Sequence, residues 1–396
     1  MATLPGHILH VDAAVREHAR VLDAYDTVPE DACHAGSLPG SVGSVLRHPS
    51  RTLPREEPSM EQPRVPDIVR CAYAELIVTD LAASRRFWVD RLGFVVSAET
   101  PDALYLRGHA EFVHHSLILR VGPVPACARF ALRVRTPEDV DHAERFHLSR
   151  GCRVRRYPCE ATPGVGPTVR VEDPFGFVVE YFHEIEWTGH HHQRYDLQQG
   201  AAINRLDHIN LVTDDVEASY RWYSDLGFGR SETIEDTATG QLFATWMYRK
   251  QTVHDVATTQ GSSPRLHHLA FAVPEAHHIL HLADVMGSVH EEGHLERGPG
   301  RHGVSNAFYL YLRDPDGHRV EIYTTDYYTG DPGHQTLRWD VNDPRRRDFW
   351  GNPVVARWYE EASRVLDLDG NVQPLRERRS DEKAITVGAD GLGVTR

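Results

Sequence analysis

Short runs in which apolar residues alternate with polar or small ones recur between residues 66 and 326, bounded by turn residues, and predict strands. The clearest are "AELIV" (74–78), "FALRV" (130–134), "VVEYF" (178–182), "HINLV" (208–212), "HLAFAV" (268–273) and "RVEIY" (319–323). Comparing the chain with itself shows that these runs belong to a repeat. "AELIVTDLAASRRFWVDRLGFVV" (74–96) aligns without gaps on "HINLVTDDVEASYRWYSDLGFGR" (208–230), each a strand, a helix opening near Thr-Asp and a Leu-Gly-Phe exit. Later, "FALRV" matches "HLAFAV", and "DPFGFVVEYF" (173–182) matches "DPDGHRVEIY" (314–323). The pattern predicts an α+β protein of two tandem βαβββ modules, packed as one curved, mixed-sheet assembly.

The expected organisation is an N-terminal extension over 1–65 with a helix at 11–25, a first module over 66–187, a linker over 188–202 and a second module over 203–326. An arm or lid rich in Trp, Tyr, Arg and Pro follows over 327–371, then a polar, mobile tail over 372–396. Met60, just ahead of the first repeat, is the expected native start. With 40% hydrophobic and 25% charged residues the composition is that of a soluble globular chain. A formal net charge of −14 argues against nucleic-acid and anionic-membrane partners, although Arg345, Arg346 and Arg347 form a local basic cluster suited to an anionic substrate. The five cysteines follow no disulfide or CxxC spacing, and no run approaches the roughly 18 apolar residues of a membrane span, so a reducing cytoplasm is expected.

Candidate chemistry enters with the glutamate that each Asp-Pro-x-Gly strand carries, Glu180 and Glu321, because a carboxylate in a buried strand needs a compensating partner. Strand alternation places Leu206, His208, Asn210 and Val212 on one face, puts His268 with the small Ala270 and Ala272, and turns His267 the other way with Leu269 and Phe271. It also groups Arg319, Glu321 and Tyr323. If these strands share a curved sheet, His208, His268 and Glu321 converge on its concave side. Two imidazoles and a carboxylate form the facial triad of non-haem iron(II) enzymes, and the same donors also hold zinc, manganese or nickel. Taken singly, each is better read as structural, His208 as a satisfied core histidine and Glu321 as an exposed strand residue. The first module carries Ala74 and Arg129 at the aligned positions and keeps only Glu180. A structural role for the histidines would repeat them, so one metal site is expected, in the second module, with Glu180 paired to a base such as Arg129.

Other signals carry less. Among the 26 histidines, His190 to His192 in the linker and His277, His278 and His281 on a helix read as solvated. "GPGRHG" (298–303) has the letters of a dinucleotide-binding loop but precedes a strand rather than a helix, so it reads as a loop presenting Arg297 and His302.

"RLDHIN", "RKQTVHDVA", "RLHHLAF", "ERGPGRHGVSNAFYLYLRDPDGHRVEIYT" and "WDVNDPRRRDFWGNP" together resemble the type I extradiol dioxygenases of the vicinal oxygen chelate superfamily, over about residues 68–371. The resemblance implies one Fe(II) or Mn(II) per chain on His208, His268 and Glu321. It places an acid–base histidine at His254, a pair that hydrogen-bonds substrate at His302 and Tyr311, pocket residues at Asn210 and Trp246, and carboxylate anchors at Arg297 and Arg347. It also implies a catechol substrate such as 3,4-dihydroxyphenylacetate, O2 as co-substrate, and a homotetramer. A metal-dependent isomerase or thiol transferase of the same fold is the alternative, as is, in another class, a non-catalytic aromatic-binding module. The extension over 1–65 has no counterpart in the family.

Overall fold

The computed structural model describes residues 63–377, with the backbone of a small two-stranded ladder at Ile385–Val387 and Gly393–Thr395. The helix expected at 11–25 and the Met60 start lie outside the described residues.

Two mixed sheets carry the chain. The first holds β1 (Ile68–Val78), β2 (Val95–Thr100), β3 (Ala103–Arg107), β4 (Leu117–Val121), β5 (Ala126–Val134), β6 (Arg153–Tyr157), β7 (Thr168–Glu172) and β8 (Val178–Phe182), in the order β2-β3-β4-β1-β5-β8-β7-β6. The second holds β9 (Arg205–Thr213), β10 (Gly229–Glu235), β11 (Leu242–Tyr248), β12 (Val256–Gln260), β13 (Arg265–Ala272), β14 (Leu295–Arg301), β15 (Phe308–Arg313), β16 (Arg319–Thr324) and β17 (Leu337–Asp340), in the order β14-β15-β16-β13-β9-β12-β11-β10-β17. Helix α1 (Leu81–Arg85, continued by a wider turn at Arg86–Arg91) follows β1, and α2 (Pro137–Ser149) follows β5. In the second sheet α3 (Val216–Asp225) follows β9 and α4 (Ala276–Ser288) follows β13. Each sheet therefore contains two βαβββ units where the sequence pattern indicated one. In every unit the first strand pairs in parallel with a later strand of the same unit, and the two units of a sheet join through antiparallel first strands, β1 with β5 and β9 with β13.

The repeated sequence signals have local causes. The aspartate of each Thr-Asp pair or its neighbour caps a helix: Asp80 Oδ1 accepts from the amides of Ala82 and Ala83, and Asp215 Oδ1 from that of Ala218. The Leu-Gly-Phe exits need their glycine, since Gly93 and Gly227 have φ of +87° and +81°. At Gly93 a side chain would also strike the Gln199 carbonyl, so the linker is packed against this turn. In the Asp-Pro-x-Gly turns, Asp173 Oδ1 accepts from the amides of Phe175 and Phe177, and Asp314 Oδ1 from those of Asp316 and His318.

The helix-bearing faces of both sheets share one apolar core, in which Trp88 and Phe94 of the first meet Phe271 of the second. The opposite faces hold separate contents. In the first sheet that face is closed by a buried polar cluster. Glu180 is fully buried, and Tyr73 and Arg170 bond it directly, with Arg129 Nε 2.9 Å away. Arg129 also pairs with Glu75, which takes Arg120 Nε at 2.6 Å. The gapless alignment set Ala74 against His208, but the ladders correct it. Ala131 faces both Tyr73 and Glu180, as Ala270 faces both His208 and Glu321, so Tyr73 is the counterpart of His208 and Ala74 points into the helix-side core.

The arm is ordered around the second sheet: β17 adds in parallel to β10, and α5 (Arg357–Glu360) packs by Trp358. The first residues of the stretch read as a mobile tail are pinned, Gln373 N donating to Val365 O and Arg376 N to Ser263 O.

Replacing Arg129 by Met leaves Glu75 and Glu180 short of a buried partner, and breaking such pairs costs about 3–5 kcal/mol. Urea unfolding should show a correspondingly lower midpoint; an unchanged midpoint would mean that Arg120 and Arg170 suffice.

Candidate metal centre

Three neighbouring strands set the site. Ala270 on β13 lies opposite His208 on β9 and opposite Glu321 on β16, so these side chains flank a residue too small to fill the space between them. His268, two residues earlier on β13, faces the same side. Their ligand atoms lie within 4.8 Å of one another, and among the described residues they form the one such group. His208 Nε2 and His268 Nε2 each sit 3.2 Å from the same oxygen, Glu321 Oε2. All three residues are buried.

The charges are arranged for a cation. Burial pushes the Glu321 carboxyl up, but His208, His268 and His302 outweigh it and hold the group well below the carboxylate range. His208 and His268 differ although both touch Glu321. Burial opposes charge on both, yet His208 is held above its ordinary value because Asp207 adds a second carboxylate, whereas burial takes His268 down to about 4. Asp207 can only accept, so His208 carries its proton on Nδ1, 2.9 Å from Asp207 Oδ2, and Nε2 is left to ligate. His254 lies against His208, ring centroids 3.7 Å apart, and both its nitrogens are buried without a hydrogen-bond partner among the described residues. Burial and then the neighbouring His208 keep this ring well below its ordinary value. Two imidazole nitrogens and a carboxylate aimed at one point, beside an unsatisfied imidazole, fit a divalent transition-metal ion.

The remaining predicted residues line the same cavity. His302 Nδ1 donates to the Arg347 carbonyl at 2.6 Å, which leaves Nε2 to accept from the Tyr311 hydroxyl at 2.8 Å. The His302 ring stacks on Tyr309 at 3.8 Å. Arg297 Nη2 donates to the same Arg347 carbonyl at 2.7 Å, and Arg347 Nη1 reaches the Tyr359 hydroxyl at 3.1 Å. Asn210 Oδ1 accepts from Thr259 at 3.2 Å, and the Trp246 ring is 6.4 Å from that of His254. The structure thus gathers His208, Asn210, Trp246, His254, His268, Arg297, His302, Tyr311, Glu321 and Arg347 around one cavity.

Two face assignments are corrected, both at bulges. The register shifts between His208 and Leu206, which turns Leu206 into the helix-side core, and between Leu266 and His268, which brings His267 round to the cavity. The sequence reading also missed Asp207, Trp358, Tyr359 and the individual importance of Arg346. Arg346 lines the cavity fully buried, with Nε and Nη1 lacking partners among the described residues. Its place in the middle of three consecutive arginines was the available signal for it, and none existed for the others.

Residues 69–181 and 205–322 match the family described as the Glyoxalase/Bleomycin resistance protein/Dioxygenase superfamily. Among solved structures, a substrate complex of homoprotocatechuate 2,3-dioxygenase from Brevibacterium fuscum with 3,4-dihydroxyphenylacetate is 54% identical, with a TM-score of 0.78 over 81% of this chain and 100% of that one. The homoprotocatechuate 2,3-dioxygenase of Arthrobacter globiformis is 56% identical, with a TM-score of 0.77 over 78% of this chain and 96% of its own. The manganese-dependent 2,3-dihydroxybiphenyl 1,2-dioxygenase of Geobacillus genomosp. 3 is 28% identical over 302 residues, 73% of this chain and 95% of that protein. With both sheets matched and the metal-type triad in the second, the chain belongs to the Glyoxalase/Bleomycin resistance protein/Dioxygenase superfamily.

Proposed function

We propose that this chain is an extradiol dioxygenase that opens the ring of 3,4-dihydroxyphenylacetate with O2 to give 5-carboxymethyl-2-hydroxymuconate semialdehyde. The observation that carries the reading is the convergence of His208, His268 and Glu321 on one point, beside a His254 that has no hydrogen-bond partner among the described residues and a wall of arginines, in a single cavity. Similarity above 50% to enzymes named homoprotocatechuate 2,3-dioxygenase supports the choice of substrate. The reading includes a cytoplasmic homotetramer. Among the described residues no helix is long and apolar enough to cross a membrane.

The residues divide the work. His208, His268 and Glu321 would hold Fe(II) or Mn(II), which when bound supplies a meeting place for catecholate and dioxygen and a route for electrons between them. The substrate carboxylate would lie against Arg297, Arg346 and Arg347, whose clustering is otherwise unfavourable; Arg346 is held down, to about 10, by burial and then by Arg347. His254, neutral and without a hydrogen-bond partner among the described residues, can take a proton from the catechol and return it to oxygen later. The Tyr311–His302 pair, fixed on the Arg347 carbonyl, presents the phenol oxygen to the ring being opened. Both dioxygen atoms enter the product as the ring carbon–carbon bond beside the diol breaks.

Oxygen uptake with formation of the coloured semialdehyde, on adding 3,4-dihydroxyphenylacetate to Fe(II)- or Mn(II)-loaded protein, tests the activity. Metal-loaded protein that consumes no oxygen with any catechol would point to an isomerase or transferase. Replacing His254 by Phe should leave metal and substrate binding intact and lower turnover by about 10²–10⁴-fold, the usual worth of an acid–base group. Turnover at the wild-type rate would remove His254 from the mechanism. For Arg347→Ala, KM for carboxylate-bearing catechols should rise about tenfold or more with kcat little changed, as for loss of uniform ionic binding. An equal rise with unsubstituted catechol would show that Arg347 is not the anchor.

A further inference from the structure

His267 is a buried histidine in the cavity wall with no part in the chemistry above. Its Nε2 lies 3.3 Å from the main-chain oxygen of Trp358, and its Nδ1 lies 2.7 Å from Nδ1 of His268. A carbonyl can only accept, so the His267 proton belongs on Nε2. A neutral ring then offers Nδ1 as an acceptor, and His268 must donate from its own Nδ1. That leaves His268 Nε2, 3.2 Å from Glu321, with a bare lone pair pointing at the triad. Two ring nitrogens 2.7 Å apart cannot both carry a proton, so one of the pair must accept.

We propose that His267 is a positioning residue: it fixes the tautomer in which His268 ligates and ties that ligand to the C-terminal arm through Trp358. This rests on the metal-centre reading. The two imidazole ligands are oriented by different means, His208 by an anionic acceptor on its own strand and His268 by a neutral relay to α5. The bulge in β13 makes the relay possible, because regular alternation would turn His267 away from both partners. Since the arm also supplies Arg347, seating the arm and preparing the metal ligand are one event.

The experiment is a Mn(II) titration of the metal-free full chain, with free Mn(II) followed by its electron paramagnetic resonance signal, for the wild type, His267→Leu and His267→Asn. The Leu variant should bind Mn(II) about 10–100-fold more weakly, the usual effect of losing a partner behind a ligand. The Asn variant, whose amide oxygen sits where Nδ1 was, should recover most of that loss. Leu binding as tightly as wild type, or Asn as weakly as Leu, overturns the proposal. If Leu fails to fold, two-bond ¹⁵N–¹H correlations of the metal-free wild type decide: a proton on Nδ1 of His268 supports the relay, and one on Nε2 overturns it. Wild-type protein that binds no Mn(II) removes the metal-centre reading itself, a result distinct from any difference between variants.

Discussion

A carboxylate at the centre of a packed sheet has to be neutralised or compensated, and this chain places one at the same point of both sheets. Glu180 and Glu321 each lie opposite an alanine that in turn faces a third strand, so the backbone geometry around them is shared. What differs is the compensation. Around Glu180 it comes from the chain itself: Arg129, Arg170 and the Tyr73 hydroxyl close directly on the carboxylate. Around Glu321 the positions of Arg129 and Tyr73 hold the imidazoles of His268 and His208 and that of Arg170 holds Tyr311, which leaves a point of convergence for a cation. The division of labour between the two halves comes down to Arg129 against His268 and Tyr73 against His208.

How much of this could be read in the sequence follows from how regular each strand is. Glu321 and Tyr323 were placed correctly because β16 pairs with β13 and β15 without interruption, so period two holds along its length. Leu206 and His267 were misplaced because β9 and β13 carry bulges, and an extra residue inverts the facing of everything beyond it while leaving the letters unchanged. The Tyr73 correspondence slipped for another reason: between its helix cap and its Leu-Gly-Phe exit the first module, with the wide turn Arg86–Arg91, holds one residue more (Asp80 to Gly93) than the second (Asp215 to Gly227), which a gapless alignment cannot show. The second βαβββ unit in each sheet escaped notice for a related reason: its helix is opened by Pro137 or Ala276 rather than by the Thr-Asp signal that marked the first. The arm's residues could be suspected from their aromatic and basic composition, but which of them reach the cavity depends on where α5 docks, which no local pattern encodes.

The cavity is built by more than its module. Arg347 offers one carbonyl oxygen to two side chains, His302 and Arg297, from a different part of the chain, and Trp358 meets Tyr311 edge to face and lies under both Arg297 and Arg319. These contacts make the βαβββ units a frame whose polar fittings are delivered by a later segment. Rigidity of the loop carrying His302 is therefore borrowed from the arm rather than intrinsic to the loop, whose Ser305 and Asn306 hold positive φ.

The strand β17 has a bearing on how the molecule behaves among its copies. By laying four residues in parallel along β10, it takes up the hydrogen-bonding groups that would otherwise run exposed along that side of the second sheet. The new border is short, and its charged side chains bond to the protein itself, Arg338 to Glu235 and Asp340 to Thr237. A border of four residues, three of them charged or hydrogen-bonded through their side chains, is a poor template for a strand from another molecule. On that flank the sheet ends by construction, and the protein is protected against growing into a fibre there.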